Sequence, residues 1–219
     1  MVQSLKNFKE FFKENVLEIL WDQWVSIGVP GFQKNPVKYY IDPEALIMLS
    51  LAFARYDSRL FDEIINWLFK HGALINIQRI NRIINMHDYA GLPILSSISD
   101  YLSRDYRFRK WKGLTRFKKD GGLENLFINL PEIFGGEDSK LDEVFKAHGY
   151  SRGILNINSQ ARDIPVLDSA CLIFNLRYLF GINSRSEIML YLLTHDQVHP
   201  TELSRSIYYS QKNIQDTLV

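Results

Sequence analysis

The chain has 219 residues, 46% hydrophobic, 13% aromatic and 23% charged, a globular composition that argues against disorder. Its 26 Lys and Arg against 25 Asp and Glu give a net charge of +1, so any nucleic-acid reading must rest on local patches. The single cysteine, Cys171, excludes an internal disulfide and leaves a cysteine-based zinc site without partners, which fits a cytoplasmic location.

Residues 4–26 place Leu5, Phe8, Phe11, Phe12, Val16, Ile19, Leu20 and Trp24 at three- and four-residue spacings, predicting an amphipathic helix. Lys6, Lys9, Glu10, Lys13 and Glu14 interrupt its apolar runs, so it is no signal-peptide core. The uncharged run from Tyr89 to Ser99 is 11 residues, and none is longer. A membrane span needs about 20, so no membrane partner is expected. Residues 28–36 read as a loop. Asp42-Pro43 then opens a helix, with Asp as cap and Pro at the first helical position. A third helix runs over 57–72, capped by Asp57 or Ser58 and stopped by Gly72. Further helices are predicted over 75–84, from Leu92-Pro93 to about Trp111, and over 138–150. The stretch 113–139 reads as loop, with a short strand at 154–157. An apolar, buried helix is expected over 166–181 and another over 183–195. Strand signals are few, so the expected fold is mainly α: a helical domain over 1–160 for dimerisation or sensing, followed by a second unit over 161–219.

That second unit ends in three helical stretches, "EIMLYLLTH", "HPTELSRSI" and "SQKNIQDTL". Ser184 with Glu187 three residues on has the form of a capping box, and Ile188, Met189, Leu192 and Leu193 supply an apolar face. Pro200 starts the second stretch, in which Leu203 and Ile207 face inward. Ser210 caps the third, with Ile214 and Leu218 inward and Gln211, Lys212, Asn213, Gln215 and Thr217 outward. The pattern resembles the helix-turn-helix core of bacterial winged-helix transcription regulators of the MarR-like and ArsR-like groups.

The resemblance implies a DNA-binding transcription regulator whose third helix enters the major groove of double-stranded DNA, usually as a homodimer. It assigns base contacts to Gln211, Asn213 and Gln215, whose amides suit adenine, and a phosphate to the Ser210 cap. Lys212 and Arg205 would serve further phosphates, with Thr201 beside them on the second helix. Three features depart from the family. The turn between the second and third helices holds Tyr208-Tyr209 where a glycine is usual. No room remains after the third helix for a two-stranded wing, so the natural protein is expected to continue past Val219. Residues 184–219 also carry three bases (Arg185, Arg205, Lys212) against four acids (Glu187, Asp196, Glu202, Asp216), a net charge of −1 that weakens phosphate attraction. The alternative is a non-enzymatic adaptor whose three-helix unit docks on protein.

A second basic feature is the run 104–119, with eight bases and one acid, interleaved with Tyr106, Phe108, Trp111 and Phe117. Arg107, Arg109, Lys110 and Lys112 are candidate accessory phosphate contacts. Residues 120–145 carry a compensating net charge of −6, so mutual neutralisation is the structural alternative. No enzyme, metal or cofactor signature emerges. His195 and His199 have ligand-like spacing but straddle a turn and lack further ligands. His87-Asp88 is an isolated pair, Cys171 sits on an apolar helix, and the pairs Gly121-Gly122 and Gly135-Gly136 lack a phosphate-loop pattern.

Overall fold

The computed structural model describes residues 5–89, 91–128, 140–158 and 160–218. They are mainly helical: α1 (Leu5–Ser26), α2 (Pro43–Phe53), α3 (Ser58–His71), α4 (Ile77–Met86), α5 (Leu92–Ser103), α6 (Glu143–Ala147), α7 (Leu172–Phe180), α8 (Ser184–Thr194), α9 (Pro200–Ile207) and α10 (Gln211–Leu218). Side-chain caps set most starts. Asp42 accepts from the Ala45 amide, Asp57 from Leu60, Asn76 from Arg79 and Asp142 from Val144 and Phe145. Each such cap contributes about 1 kcal/mol.

Several elements depart from the sequence expectation. Gly72 ends α3 but stays right-handed at φ −59°, leading into a 3-10 turn over Gly72–Leu74. The helix expected to reach Trp111 breaks after Ser103, because Asp105 caps a separate 3-10 segment, Tyr106–Leu114. The helix expected over 138–150 shrinks to α6: Asp142 is its cap, and Gly149 at φ +91° turns the chain away. Asp138, the Gly135-Gly136 pair and Val219 lie outside the described residues. The only strands among those residues are β1 (Glu124–Asn125) and β2 (Tyr150–Ser151), paired in parallel with Glu124 opposite Tyr150. No strand forms at 154–157, where Leu155 turns inward and its amide donates to Asp142 Oδ2 at 3.2 Å. The stretch 166–181 buries one face only: Ile173, Phe174, Leu176 and Arg177 are covered, whereas Leu167, Tyr178 and Leu179 are exposed. No helix among the described residues is long and apolar enough to cross a membrane.

Two hydrophobic clusters organise the chain. The larger, here called the body, runs from Leu20 to Leu190 and includes Ala161, Ile164, Ala170, Cys171 and Phe174. Trp24 and Trp67 meet edge to face at 5.4 Å in its centre, and their indole N–H groups donate to Ser50 Oγ and to the Ile27 carbonyl. Residues just past 160 are threaded into it: the Arg162 amide donates to Gly28 O at 2.8 Å, and Arg162 O lies 2.8 Å from His71 Nε2. A Cβ at Gly28 (φ +109°) would stand 3.0 Å from Arg162 O, so glycine is needed for both backbone and approach. The smaller cluster is Ile188, Tyr191, Leu203, Ile207, Tyr209 and Ile214, from α8, α9, the turn after α9, and α10. The core of the three-helix unit thus begins at α8.

A buried ion network joins the two. Glu44 of α2 is fully buried. Its Oε1 accepts from the Asn76 amide (2.7 Å) and Arg177 Nη1 (2.8 Å), and its Oε2 from Arg79 Nη1 (2.9 Å) and Arg177 Nη2 (2.7 Å). Arg177 of α7 also donates to Glu187 Oε1 of α8 at 2.6 Å, and Arg79 of α4 clasps both oxygens of Asp42. Glu187 is therefore an ion-network residue and not a capping-box partner, and Asn183 caps α8 in place of Ser184. Burial alone would lower the Arg177 pKa, but Glu44 and Glu187 outweigh it and hold the guanidinium firmly protonated. Burial likewise works against ionised Asp42, yet Arg79 holds its carboxyl below the usual range. For Glu187 burial wins and pushes the pKa up, with Arg177 compensating only in part.

Two outcomes follow. Glu44→Ala strands two guanidiniums against each other and should cost about 3–5 kcal/mol in urea unfolding; a loss under about 1 kcal/mol would contradict this network. Glu187 binds its proton more tightly in the folded chain, so the wild type should gain stability relative to Glu187→Gln as pH falls from about 7 to about 5. The same gap at both pH values would show that Glu187 is not strained as an anion.

Candidate nucleic-acid interface

The three-helix unit is built so that α8, α9 and α10 each touch the other two. Leu203 and Ile207 point into its core as their four-residue spacing predicts, and Ile214 anchors α10 from beneath. His199 caps α9 through its side chain, with Pro200 at the first position. The turn between α9 and α10 accepts strain at Tyr208, the one non-glycine residue with positive φ (58°) among the described residues. The left-handed region costs an ordinary residue about 1–2 kcal/mol.

The body holds this turn in place. Arg82 Nη1 donates to Tyr208 O at 3.0 Å, and its guanidinium lies 4.2 Å from the Tyr209 ring centroid. Arg79 sits over the Tyr208 ring, and His87 Nε2 lies 3.3 Å from the Tyr208 hydroxyl. The Tyr209 hydroxyl accepts from Asn76 Nδ2 at 2.7 Å, and Ser204 Oγ donates to Tyr209 O at 2.6 Å. His87, an isolated pair with Asp88 in the sequence, thus packs against the turn.

Ser210 caps α10 by accepting from the Asn213 amide at 3.3 Å. Gln211, Lys212 and Gln215 are exposed, and Gln211 Nε2 donates to Thr201 Oγ1 at 3.0 Å, linking α9 to α10 across the surface. Arg205 is exposed on α9. Two expected outward positions turn inward. Asn213 is half-buried with its Oδ1 enclosed and unpaired, and Thr217 bonds to Asn213 O and approaches Ser184 Oγ at 2.9 Å. Thr217 thus meets the start of α8, and Asn213 is less exposed than Gln211, Lys212 and Gln215. Leu218, expected inward, is 60% exposed. On α8 the buried face is Ile188, Leu190 and Tyr191, whereas Leu192 and Leu193 are exposed.

The basic run divides by the same test. Phe108, Trp111 and Leu114 are core, with Trp111 Nε1 donating to Gly72 O, whereas Tyr106 is 86% exposed. Arg107 is paired with Asp105 at 2.6 Å. The Lys110 ammonium donates to Ala73 O and Ile75 O, and burial together with nearby Arg177 pushes its pKa down to about 8. Arg109 and Lys112 are exposed and make no ion pair among the described residues. Lys119 pairs with Glu124 at 3.2 Å, so the acids of 120–145 meet the run at its far end. Lys110, Tyr209, Asn183, Ser184 and Asn213 line one groove of about 510 Å³, bringing the basic segment beside α10.

No family model, curated protein or solved structure matches this chain. Its functional reading therefore rests on the geometry of its own residues. That geometry also defines the remaining candidates. No group of three or more His, Cys, Asp and Glu among the described residues is arranged to hold a metal. His195 lies flat on Tyr191 at 3.8 Å. The Cys171 thiol is buried, and burial pushes its pKa up to about 12, which leaves it protonated and unreactive at neutral pH.

Asn76 caps α4, a local role, and bonds Tyr209, a role no local pattern reveals. Asn76→Ala removes both and should cost about 2–4 kcal/mol. Hydrogen exchange should quicken in α9 and α10 more than in α3. Uniform exchange across the chain would break the link between Asn76 and the turn.

Proposed function

We propose that the three-helix unit binds double-stranded DNA as the reading head of a transcription regulator, with α10 entering the major groove. The observation that carries this is the exposed ridge of Gln211, Lys212 and Gln215 over a buried Ile214 anchor. The amides of Gln211 and Gln215 can bond base edges, each good bidentate pair giving about 1–3 kcal/mol of discrimination. Lys212 and Arg205 serve phosphates. Arg109 and Lys112 add free positive charge from the neighbouring basic segment, which supplements a unit that is itself slightly acidic. Arg107 and Lys110 are engaged within the protein and contribute less. Two copies could meet through the outer half of α1, where Leu5, Phe8, Phe11 and Phe12 are all exposed.

The adaptor reading draws on a different observation: Leu192, Leu193 and Leu218 are exposed apolar residues of the same unit, at 42%, 60% and 60%. A salt titration separates the two. Fluorescence anisotropy on genomic duplex fragments should give binding that falls steeply with salt. Lys212→Gln, and separately Arg109→Gln with Lys112→Gln, should each shallow that slope by about one phosphate equivalent for every cationic side chain removed. Gln211→Ala with Gln215→Ala should weaken sequence preference by about tenfold or more while leaving the slope intact. No salt-sensitive binding at low ionic strength would remove the regulator reading and favour the adaptor.

A further inference from the structure

A cavity of about 240 Å³ lies where α8 and α9 meet the body. Tyr40, Asp42 and Arg79 line it from one side and Glu187, Tyr191 and Ser206 from the other. An enclosed apolar cavity of about 150 Å³ admits benzene, so this volume suits one small molecule somewhat larger than that.

The charge around it is unbalanced. Three carboxylates, Asp42, Glu44 and Glu187, share two guanidiniums, Arg79 and Arg177. Arg79 cannot serve an incoming anion, since both Nη atoms are committed to Asp42 and Glu44 and its Nε points to Ile207 O. Arg177 Nη1 and Nη2 are spent on Glu44, Glu187 and Leu74 O; its Nε is buried without a partner, but Arg177 does not line the cavity. Lys110 is electrostatically coupled to Arg177 and Glu44, but its ammonium is held by carbonyls in the neighbouring groove. Glu187, only 3% exposed, uses Oε1 to accept from Arg177, and its Oε2 has no hydrogen-bond partner among the described residues. That oxygen is not among the enclosed unpartnered atoms, so it can accept from a donor entering the cavity. Tyr40, Tyr191 and His195 line the same cavity, with His195 stacked against Tyr191. Aromatic faces favour cations, and most of all desolvated ones.

We propose that this cavity binds a small organic ammonium ion, which donates a hydrogen bond to Glu187 Oε2 and lays its apolar body against Tyr40 and Tyr191. The bound cation supplies the charge the network lacks. Because the lining comes from both the body and the three-helix unit, occupancy fastens one to the other. The site stands apart from the α10 ridge, and its test uses no DNA.

Isothermal titration of the full chain near neutral pH should detect one site for benzylamine, which is protonated there. Benzyl alcohol, neutral and nearly isosteric, and benzoate should bind at least about tenfold more weakly. Glu187→Gln keeps Arg177 paired with Glu44 and should weaken benzylamine about tenfold or more, with its helical circular dichroism intact. Ser206→Phe fills the cavity from its exposed rim, leaves every ion pair in place and should abolish binding. No binding of benzylamine, equal binding of the alcohol or of benzoate, or unchanged affinity in both variants would each overturn the assignment.

Discussion

The burial of Glu44 governs how this chain is assembled. A carboxylate with no exposure is tolerated because four donors converge on it, from the Asn76 amide, Arg79 and Arg177. Removing ions from water costs several kcal/mol each, and only close, fully hydrogen-bonded geometry offsets that cost. The cluster therefore demands that α2, α4 and α7 meet in one arrangement. Through Arg177 and Glu187 it extends that demand to α8, where the three-helix unit begins. An apolar contact of similar size would tolerate sliding; a set of directed hydrogen bonds does not.

This constraint explains how a three-helix unit with a small core can stay ordered. Its cluster holds Ile188, Tyr191, Leu203, Ile207, Tyr209 and Ile214 and no other fully buried apolar residue among those described. A core of that size is marginal alone. The deficit is met at the surface facing the body, where Arg79, Arg82, Asn76 and His87 all contact Tyr208 or Tyr209. The same contacts hold Tyr208 in a left-handed conformation that its side chain disfavours. The strained turn and the ion network are thus two halves of one joint, and α4 supplies residues to both. The orientation of α10, and so the direction in which Gln211, Lys212 and Gln215 face, is set by that joint.

None of the ridge residues Gln211, Lys212 and Gln215 lines the cavity. The exposed ridge of α10 looks outward, whereas the unbalanced carboxylate looks into the gap between α8, α9 and the body. A ligand in that gap would act on the relation between the two parts and leave the ridge free.

What the amino-acid order determined by itself was local. Apolar residues three and four apart marked α1, α3, α9 and α10, and Asp-Pro at 42–43, Asp57, Pro200 and Ser210 fixed where helices begin, because capping and amphipathic periodicity act within one or two turns. The readings that needed distant partners were decided by tertiary structure alone. Glu187 has the spacing of a capping box, yet its partner is Arg177; Asn213 has the spacing of an outward amide, yet it is half-buried with its Oδ1 enclosed; Lys110 sits in a basic run, yet its charge is spent on the carbonyls of Ala73 and Ile75. Asn76 and Tyr209 are 133 positions apart, as are Glu44 and Arg177. A buried polar group is stable only with the partner that the fold brings to it, and no periodicity along the chain encodes which residue that will be.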